Sequence, residues 1–239
     1  MPPKSIAVLI DADNTQLSKL DQLLAEISTR GRIVVKRAYG NWRKDLLNHW
    51  ESALGRLAIK AEQQFDYVSG KNATDMALVI DAMDLLAARL YDMFVIVSSD
   101  SDFTPLAIKL RESGAEVIGV GNGQTSQSFR NACDDFLFLE NLGGDSRRGR
   151  PDDRMFEERE MEHVHDLLER AWENYQDEDG WANAAPVGNY LKRAMPDFDA
   201  RSYGFAKLSD LIKSFPGRYA TKTQPMPPSG VPVLYFRCR

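Results

Sequence analysis

Carboxylates arrive where apolar runs stop. Ser98-Ser99-Asp100-Ser101-Asp102 follows Val95-Ile96-Val97, and Asp11-Ala12-Asp13-Asn14-Thr15 follows Ile6-Ala7-Val8-Leu9-Ile10. A third acid, Asp75, stands at the head of a helical pattern, behind the break Ser69-Gly70-Lys71-Asn72. Each acid has a structural explanation. Ser or Asp before a helix satisfies free N–H groups, and an acid in a first turn meets the favourable end of the helix dipole. Capping accounts for one acid at a strand end, not two. Close carboxylates repel unless a proton or a cation lies between them. Hard divalent ions are held by one or two carboxylates with waters and substrate phosphates. No His or Cys accompanies these acids, which argues against zinc and favours Mg²⁺ or Mn²⁺ acting on phosphates.

The elements that must position these acids are short. Ile6–Ile10, Ile33–Val35, a strand within 58–68, Val95–Val97, Ala115–Gly121 and Phe136–Leu139 have strand character. Helical patterns lie between them: to about Arg30 with Gly31 as C-cap, Lys44–Leu57, Asp75 to about Leu90, Phe103–Arg111 and Ser126–Ala132. The helix behind Asp75 shows an apolar face of Ala77, Leu78, Ile80, Ala82, Leu85 and Leu86, which turns Asp81 and Asp84 toward solvent. Repeated β-α units with short loops predict an α/β fold with a mostly parallel sheet and right-handed crossovers. In such sheets ligands gather at the carboxyl edge, so neighbouring strands would bring all these acids round one cavity. Lys36-Arg37-Ala38-Tyr39-Gly40-Asn41-Trp42-Arg43-Lys44 interleaves four cations with two aromatics. That pattern suits gripping phosphates and stacking a base, and equally suits a solvated strand edge with one core aromatic.

Gly143 to Pro151 is a cationic, Gly-rich stretch and marks a boundary: a first domain over 1–142, a linker over 143–152 and a second domain over 153–239. The second begins with a charged helix, Asp153 to Tyr175. His163 and His165 fall on different faces of it, poor metal partners and expected at the surface. Helices over Trp181–Met195 and Phe205–Phe215 follow. Strands over Arg218–Lys222 and Val233–Arg237 close the chain, joined by the Pro-rich stretch Thr223–Pro232. This order describes a smaller winged-helix (α+β) module, whose partner the order alone does not decide.

The chain has 239 residues, 43% hydrophobic and 27% charged, the composition of a soluble globular protein. No run approaches the ~20 apolar residues of a membrane span. Met1-Pro2-Pro3-Lys4 leads into a strand without a leader's apolar region, and Cys133 and Cys238 lie far apart without metal-ligand spacing. A reducing, cytoplasmic location is expected. The net charge of −5 hides a segregation. From Trp181 to Arg239 there are nine Lys/Arg against three Asp, a surplus of six positive charges. A basic lobe on an acidic protein predicts an anionic partner.

Two resemblances bear on the chemistry. Asp11-Ala12-Asp13-Asn14-Thr15 after an apolar strand resembles the first motif of haloacid-dehalogenase-type phosphatases, with Asp11 as nucleophile and Asp13 as acid/base. The separate late acidic motif of that family is missing here. Across residues 1 to 142, Val8 to Asn14, Gly70 to Leu78 and Val97 to Phe103 together resemble the NYN domain, a branch of the PIN-like nucleases. That resemblance implies a Rossmann-like fold and Mg²⁺- or Mn²⁺-dependent RNA cleavage. By position it makes Asp11, Asp75 and Asp100 metal carboxylates with Asp102 beside them. Asn14 would orient substrate or a water, and Ser98 or Ser99 would bond a phosphate. Lys36, Arg37, Arg43 and Lys71 are the expected backbone contacts, with Trp42 as the stacking aromatic. Residues 155 to 237 are similar to the OST-HTH, or LOTUS, domain through Asp199 to Phe205 and Leu208 to Leu211, which implies RNA binding or a protein partner. The rival from another class is a non-cleaving RNA-binding or scaffolding protein.

Overall fold

Continuous burial of side chains along the central strands builds the first unit. The computed structural model describes residues 2–15, 17–65, 72–144, 154–226 and 231–239, without the side chains of 144, 154–159 and 226. Strands β1 (Ser5–Asp11), β2 (Arg32–Gly40), β3 (Lys60–Gln63), β4 (Met93–Val97), β5 (Glu116–Gly121) and β6 (Asp135–Phe138) alternate with helices. The helices are α1 (Leu20–Ser28), α2 (Glu51–Leu57), α3 (Ala73–Ala88), α4 (Thr104–Glu112) and α5 (Gln127–Ala132). The strands form one parallel sheet in the order β3-β2-β1-β4-β5-β6. This is the Rossmann-like order, with helices on both faces. On β1, Ile6, Val8 and Ile10 pack with Leu20, Leu23, Ile27 and Trp50, while Ala7 and Leu9 pack with Leu78, Ala82, Leu106 and Phe129. Strands buried on both faces need continuous apolar sequence, as β1 and β4 have.

Three local expectations are corrected. Gly31 does not cap α1, whose C-cap is Thr29. A Cβ at Gly31 would stand 2.4 Å from the Lys4 carbonyl oxygen, so glycine is needed for the close approach of this turn to the start of β1. On α3 the buried positions are Thr74, Leu78, Ala82 and Leu85, and Ile80 is 58% exposed. Two residues beyond Leu78 is about 200° of helix rotation, which turns Ile80 to the opposite side. Asp81 is not a solvent residue. It accepts hydrogen bonds from Arg37 and Tyr39, and Glu62 lies 3.8 Å from the same guanidinium.

The chain divides into two compact units, Met1–Asp145 and Ser146–Arg239. Residues 145–153, most of the expected linker, lie outside the described residues, as do Ser69, Gly70 and Lys71. The second unit has helices α6 (Arg154–Tyr175), α7 (Ala184–Ala194) and α8 (Leu208–Ser214) and strands β7 (Ala182–Asn183), β8 (Tyr219–Met226) and β9 (Val231–Cys238). Its antiparallel sheet runs β7-β9-β8. The helix expected from Trp181 begins only at Ala184. Ala182 and Asn183 pair with β9 instead, and the Asn183 side chain caps the helix by accepting from the Ala185 N–H at 2.9 Å. The helix expected from Phe205 likewise begins at Leu208. The hairpin strands extend into the Pro-rich stretch, where Pro225 pairs with Pro232. Proline is tolerated because β8 is an edge strand and β9 at Pro232 has no partner on its other side.

His165 is buried, contrary to the surface position expected for it, whereas His163 is exposed. Its Nδ1 lies 2.7 Å from the Tyr219 hydroxyl and its ring meets Phe215 edge-on at 4.5 Å. Burial holds the imidazole below its ordinary value of 6.5, and the Arg218 charge adds to this. On acidification the unfolded chain therefore takes up this proton first. The stability owed to the neutral ring is present above about pH 6.5 and is lost as pH falls below it. Melts of the full chain at about pH 7.5 and 5.5 are expected to show the second unit weakened more by acid in the wild type than in His165→Phe.

Candidate active site

Chain order in the sheet reverses between β1 and β4: the chain leaves β1 toward β2 on one side and leaves β4 toward β5 on the other. A crevice at the carboxyl ends of two such strands is where ligands bind in open α/β sheets. Asp11, the last residue of β1, sits there with no exposure to solvent. Its Oδ2 accepts from the Asn14 amide and the Ser98 hydroxyl, both at 2.8 Å. Its Oδ1 is buried and has no hydrogen-bond partner among the described residues. Burial pushes the Asp11 carboxyl above its ordinary value, the bonds from Asn14 and Ser98 pull it back, and the Asp13 charge adds to the rise.

Asp75 enters from the first turn of α3. Its carboxyl is pushed up to about 6, first by burial and then by the charges of Asp11, Asp100, Asp102 and Asp13. These charges come from the exits of β1 and β4, so Asp75 stands near two other stretches of the chain. Asp100 also does the capping work expected of a strand-end acid. Its Oδ1 accepts from the Asp102 N–H at 2.9 Å across the turn Ser101–Phe103, while its own N–H donates to Ser98 Oγ at 3.1 Å. Asp102 is exposed and accepts from the Asn72 amide at 3.1 Å. Ser99 Oγ accepts from the Asn122 N–H at 3.0 Å and ties the β4 exit to the β5 exit. A cavity of about 340 Å³ opens beside the acids, lined by Asn14, Ser99, Asp100, Ser101, Gln124 and Ser126.

Three expected contact residues lie elsewhere. Lys36 and Arg37 pair with Val8 and Leu9, below the strand ends, so their side chains leave across the sheet faces. Lys36 Nζ donates to the Leu57 carbonyl, and Arg37 is taken up by Asp81. Tyr39 is buried, and burial with the Asp81 bond raises its hydroxyl far above the ordinary range. The Trp42 indole N–H donates to the Glu62 carbonyl at 3.0 Å, and the ring packs edge-on against Trp50. Arg43, beyond the end of β2, stacks over Phe65 at 4.8 Å. Lys71 lies outside the described residues. Among the described residues, Lys44 is a cation brought to the acids, 3.8 Å from Asp13, whose other oxygen lies 3.4 Å from Thr74 Oγ1. Lys44 closes the cationic stretch from Lys36, and Asn72 and Thr74 lie within Gly70 to Leu78, but nothing in the sequence singles them out from their neighbours there.

Among the described residues no three His, Cys, Asp or Glu side chains stand close enough to enclose a metal ion. Mg²⁺ needs only one or two carboxylates, the rest being water and phosphate. The unpartnered, buried Oδ1 of Asp11 fits such a ligand, because an uncompensated buried carboxylate oxygen is costly until something positive meets it. No helix among the described residues is long and apolar enough to cross a membrane.

Residues 5–140 match the NYN domain and residues 158–229 the OST-HTH/LOTUS domain. The chain is 30% identical over 120 residues to an uncharacterized protein of Methanocaldococcus jannaschii. That match takes in 48% of this chain and 47% of the other, so the chain spans about half the length of this relative. Among solved structures it is similar to a protein of unknown function from Vibrio parahaemolyticus, with 17% identity and a TM-score of 0.49 over 58% of this chain and 94% of that one. An uncharacterized protein from Nitrosomonas europaea shows 31% identity and a TM-score of 0.29 over 41% and 82%. An NYN domain is of nuclease type and an OST-HTH/LOTUS domain is RNA-directed. Matched over more than half of its length, the chain belongs to the NYN-domain family and carries an OST-HTH/LOTUS domain behind it.

Proposed function

We propose that the protein is a Mg²⁺- or Mn²⁺-dependent ribonuclease that hydrolyses RNA phosphodiester bonds at the β1–β4 switch point. The observation that carries this reading is the buried, unpartnered Oδ1 of Asp11 near Asp75, whose carboxyl is raised to about 6 by burial and then by the charges of Asp11, Asp100, Asp102 and Asp13. A divalent ion there would polarise a phosphoryl oxygen and lower the pKa of a water. One or two of Asp11, Asp75 and Asp100 would bind it directly, the others and Asp102 acting through water. Asn14 and Ser98 keep one oxygen of Asp11 occupied and fix the carboxyl, which leaves the other free for binding. Ser99 braces the loop that carries Asp100, and Lys44 and Arg43 supply positive charge at the same edge. The C-terminal unit would raise affinity for RNA and also offer a surface for a protein partner. A reducing, cytoplasmic setting suits the two free cysteines.

The test is cleavage of end-labelled RNA pools with Mn²⁺ against chelator. Metal-dependent cleavage is expected. RNA binding without cleavage would instead favour a non-catalytic RNA-binding or scaffolding protein, the reading to which the capping role of Asp100 also lends weight.

A further inference from the structure

On the C-terminal sheet one face packs into the core through Leu234, Phe236 and Ala182, and the register puts Asn183, Lys222 and Tyr235 side by side on the other. On that outer face Lys222 Nζ lies 4.4 Å from the Trp181 ring centre and 5.7 Å from that of Tyr235. The Arg237 guanidinium lies 5.2 Å from the Trp181 ring. Neither cation is paired with a carboxylate among the described residues. A cation held by a salt bridge has spent its charge, whereas one held over an aromatic ring keeps its full net charge for an incoming anion. No Asp or Glu occurs in Ala182–Asn183, Tyr219–Met226 or Val231–Cys238, so nothing within the strands opposes that field.

The backbone that carries the Trp181 ring is also held beforehand. Its N–H donates to Asp177 Oδ1 at 2.8 Å, its carbonyl accepts from the Asp177 N–H at 2.9 Å, and the intervening Gly180 takes φ +76°. The Trp172 indole N–H holds the Gly180 carbonyl at 2.9 Å, which fastens the turn to α6. Trp181 and Tyr235 remain half-exposed despite this anchoring. Fixed, partly open aromatics interleaved with unneutralised cations are what single-stranded nucleic acid requires, since bases stack on rings and phosphates pair with charges.

We propose that this outer face, formed by Trp181, Lys222, Tyr235 and Arg237, is the seat for single-stranded RNA on the C-terminal unit. It rests on the reading that this unit engages RNA, and it assigns the residues and the strand state. Lys222 and Arg237 take the backbone phosphates, and Trp181 and Tyr235 stack the bases.

The test uses the full chain in chelator, with a fluorescein-labelled oligouridine about a dozen nucleotides long, read by anisotropy across a salt series. Lys222→Gln/Arg237→Gln is expected to weaken binding about tenfold at 0.1 M salt and to lower the salt slope by about 1.4, some 0.7 for each lost single-strand phosphate contact. Trp181→Leu is expected to weaken it by a similar factor with the slope unchanged, because stacking releases no counterions. In the wild type the RNA should quench tryptophan emission, and Trp181→Leu should lose that change. Should Trp181→Leu fail to fold, the surface double variant still decides the matter. A wild type that binds while the double variant keeps the same affinity and slope overturns this surface alone. A wild type that does not bind overturns the RNA reading along with it.

Discussion

Asp11→Asn is expected to lower Mn²⁺-dependent RNA cleavage by about a hundredfold or more while the protein folds at least as well as the wild type. Asparagine fills the space of the carboxylate and keeps an oxygen for the Asn14 and Ser98 bonds. What disappears is the anionic Oδ1, the one buried oxygen in the cluster with no other partner among the described residues. Removing a single preorganised electrostatic group from a catalytic site, such as an oxyanion-hole donor, costs about a hundred- to a thousandfold, and loss of a metal ligand is expected to be of that order. Stability should not fall, because burial and Asp13 already disfavour the charged form of Asp11. Initial rates on labelled RNA and a thermal melt of the same preparation separate the two effects. Wild-type cleavage rates in repurified Asp11→Asn would remove Asp11 from the chemistry, and an unfolded variant would make it a structural residue instead.

Asp75→Asn is expected to stabilise the metal-free protein at about pH 8 and to blunt its response to Mn²⁺. The folded carboxyl titrates near 6 against an ordinary 3.8, so the folded chain holds this proton more tightly than the unfolded one. The sign follows: the fold is favoured below about pH 4, and a penalty grows as pH rises to about 6 and persists above it. The whole shift is worth roughly 3 kcal/mol, and water access to the half-buried group reduces this to about 1–2 kcal/mol. The variant gives up a helix-dipole contribution of about 0.3–1 kcal/mol, so a net gain remains. Mn²⁺ acts in the opposite sense on the wild type, adding about 2.7 kcal/mol at a hundred times its Kd. Melts at about pH 5 and pH 8, with chelator and with Mn²⁺, check both halves. A variant less stable in chelator, with an undiminished Mn²⁺ response, would reduce Asp75 to a helix-start residue.

Some of this was plain in the residues. Ile6–Ile10 and Val95–Val97 had to be central strands, because only burial on both faces suits such runs, and acids directly behind them had to meet at one edge. Lys36 and Arg37 misled for a related reason. Whether a cation on a strand reaches a ligand depends on how far it stands from the strand's end, and β2 continues to Gly40, three residues beyond Arg37. His165 carried a signal that comparison with His163 alone hid. Val164, Leu168 and Ala171 share its buried side of α6, a spacing of three and four that places residue 165 among them. Lys44 and Asn72 were legible only as members of longer stretches, since turns carry no periodicity and their closeness to the acids is created by the crossover connections.

The central place of β1 has a consequence for the order of events as the chain is made. Asp11 and Ser98 touch across the sheet yet stand 87 residues apart in sequence. At ~5–20 residues per second, β4 leaves the ribosome roughly 4–17 s after β1. Until then β1 can pair only with β2, and its other edge is bare: an apolar ribbon with unsatisfied N–H and C=O groups, a template for adhesion between nascent chains. Closing so long a loop is also the slow, entropically costly event in folding a parallel sheet. The pairing that ends this exposure is the same one that brings the acids together. No half-made chain can therefore carry the assembled acidic edge, and the cell meets that edge only in molecules whose adhesive strand is already covered.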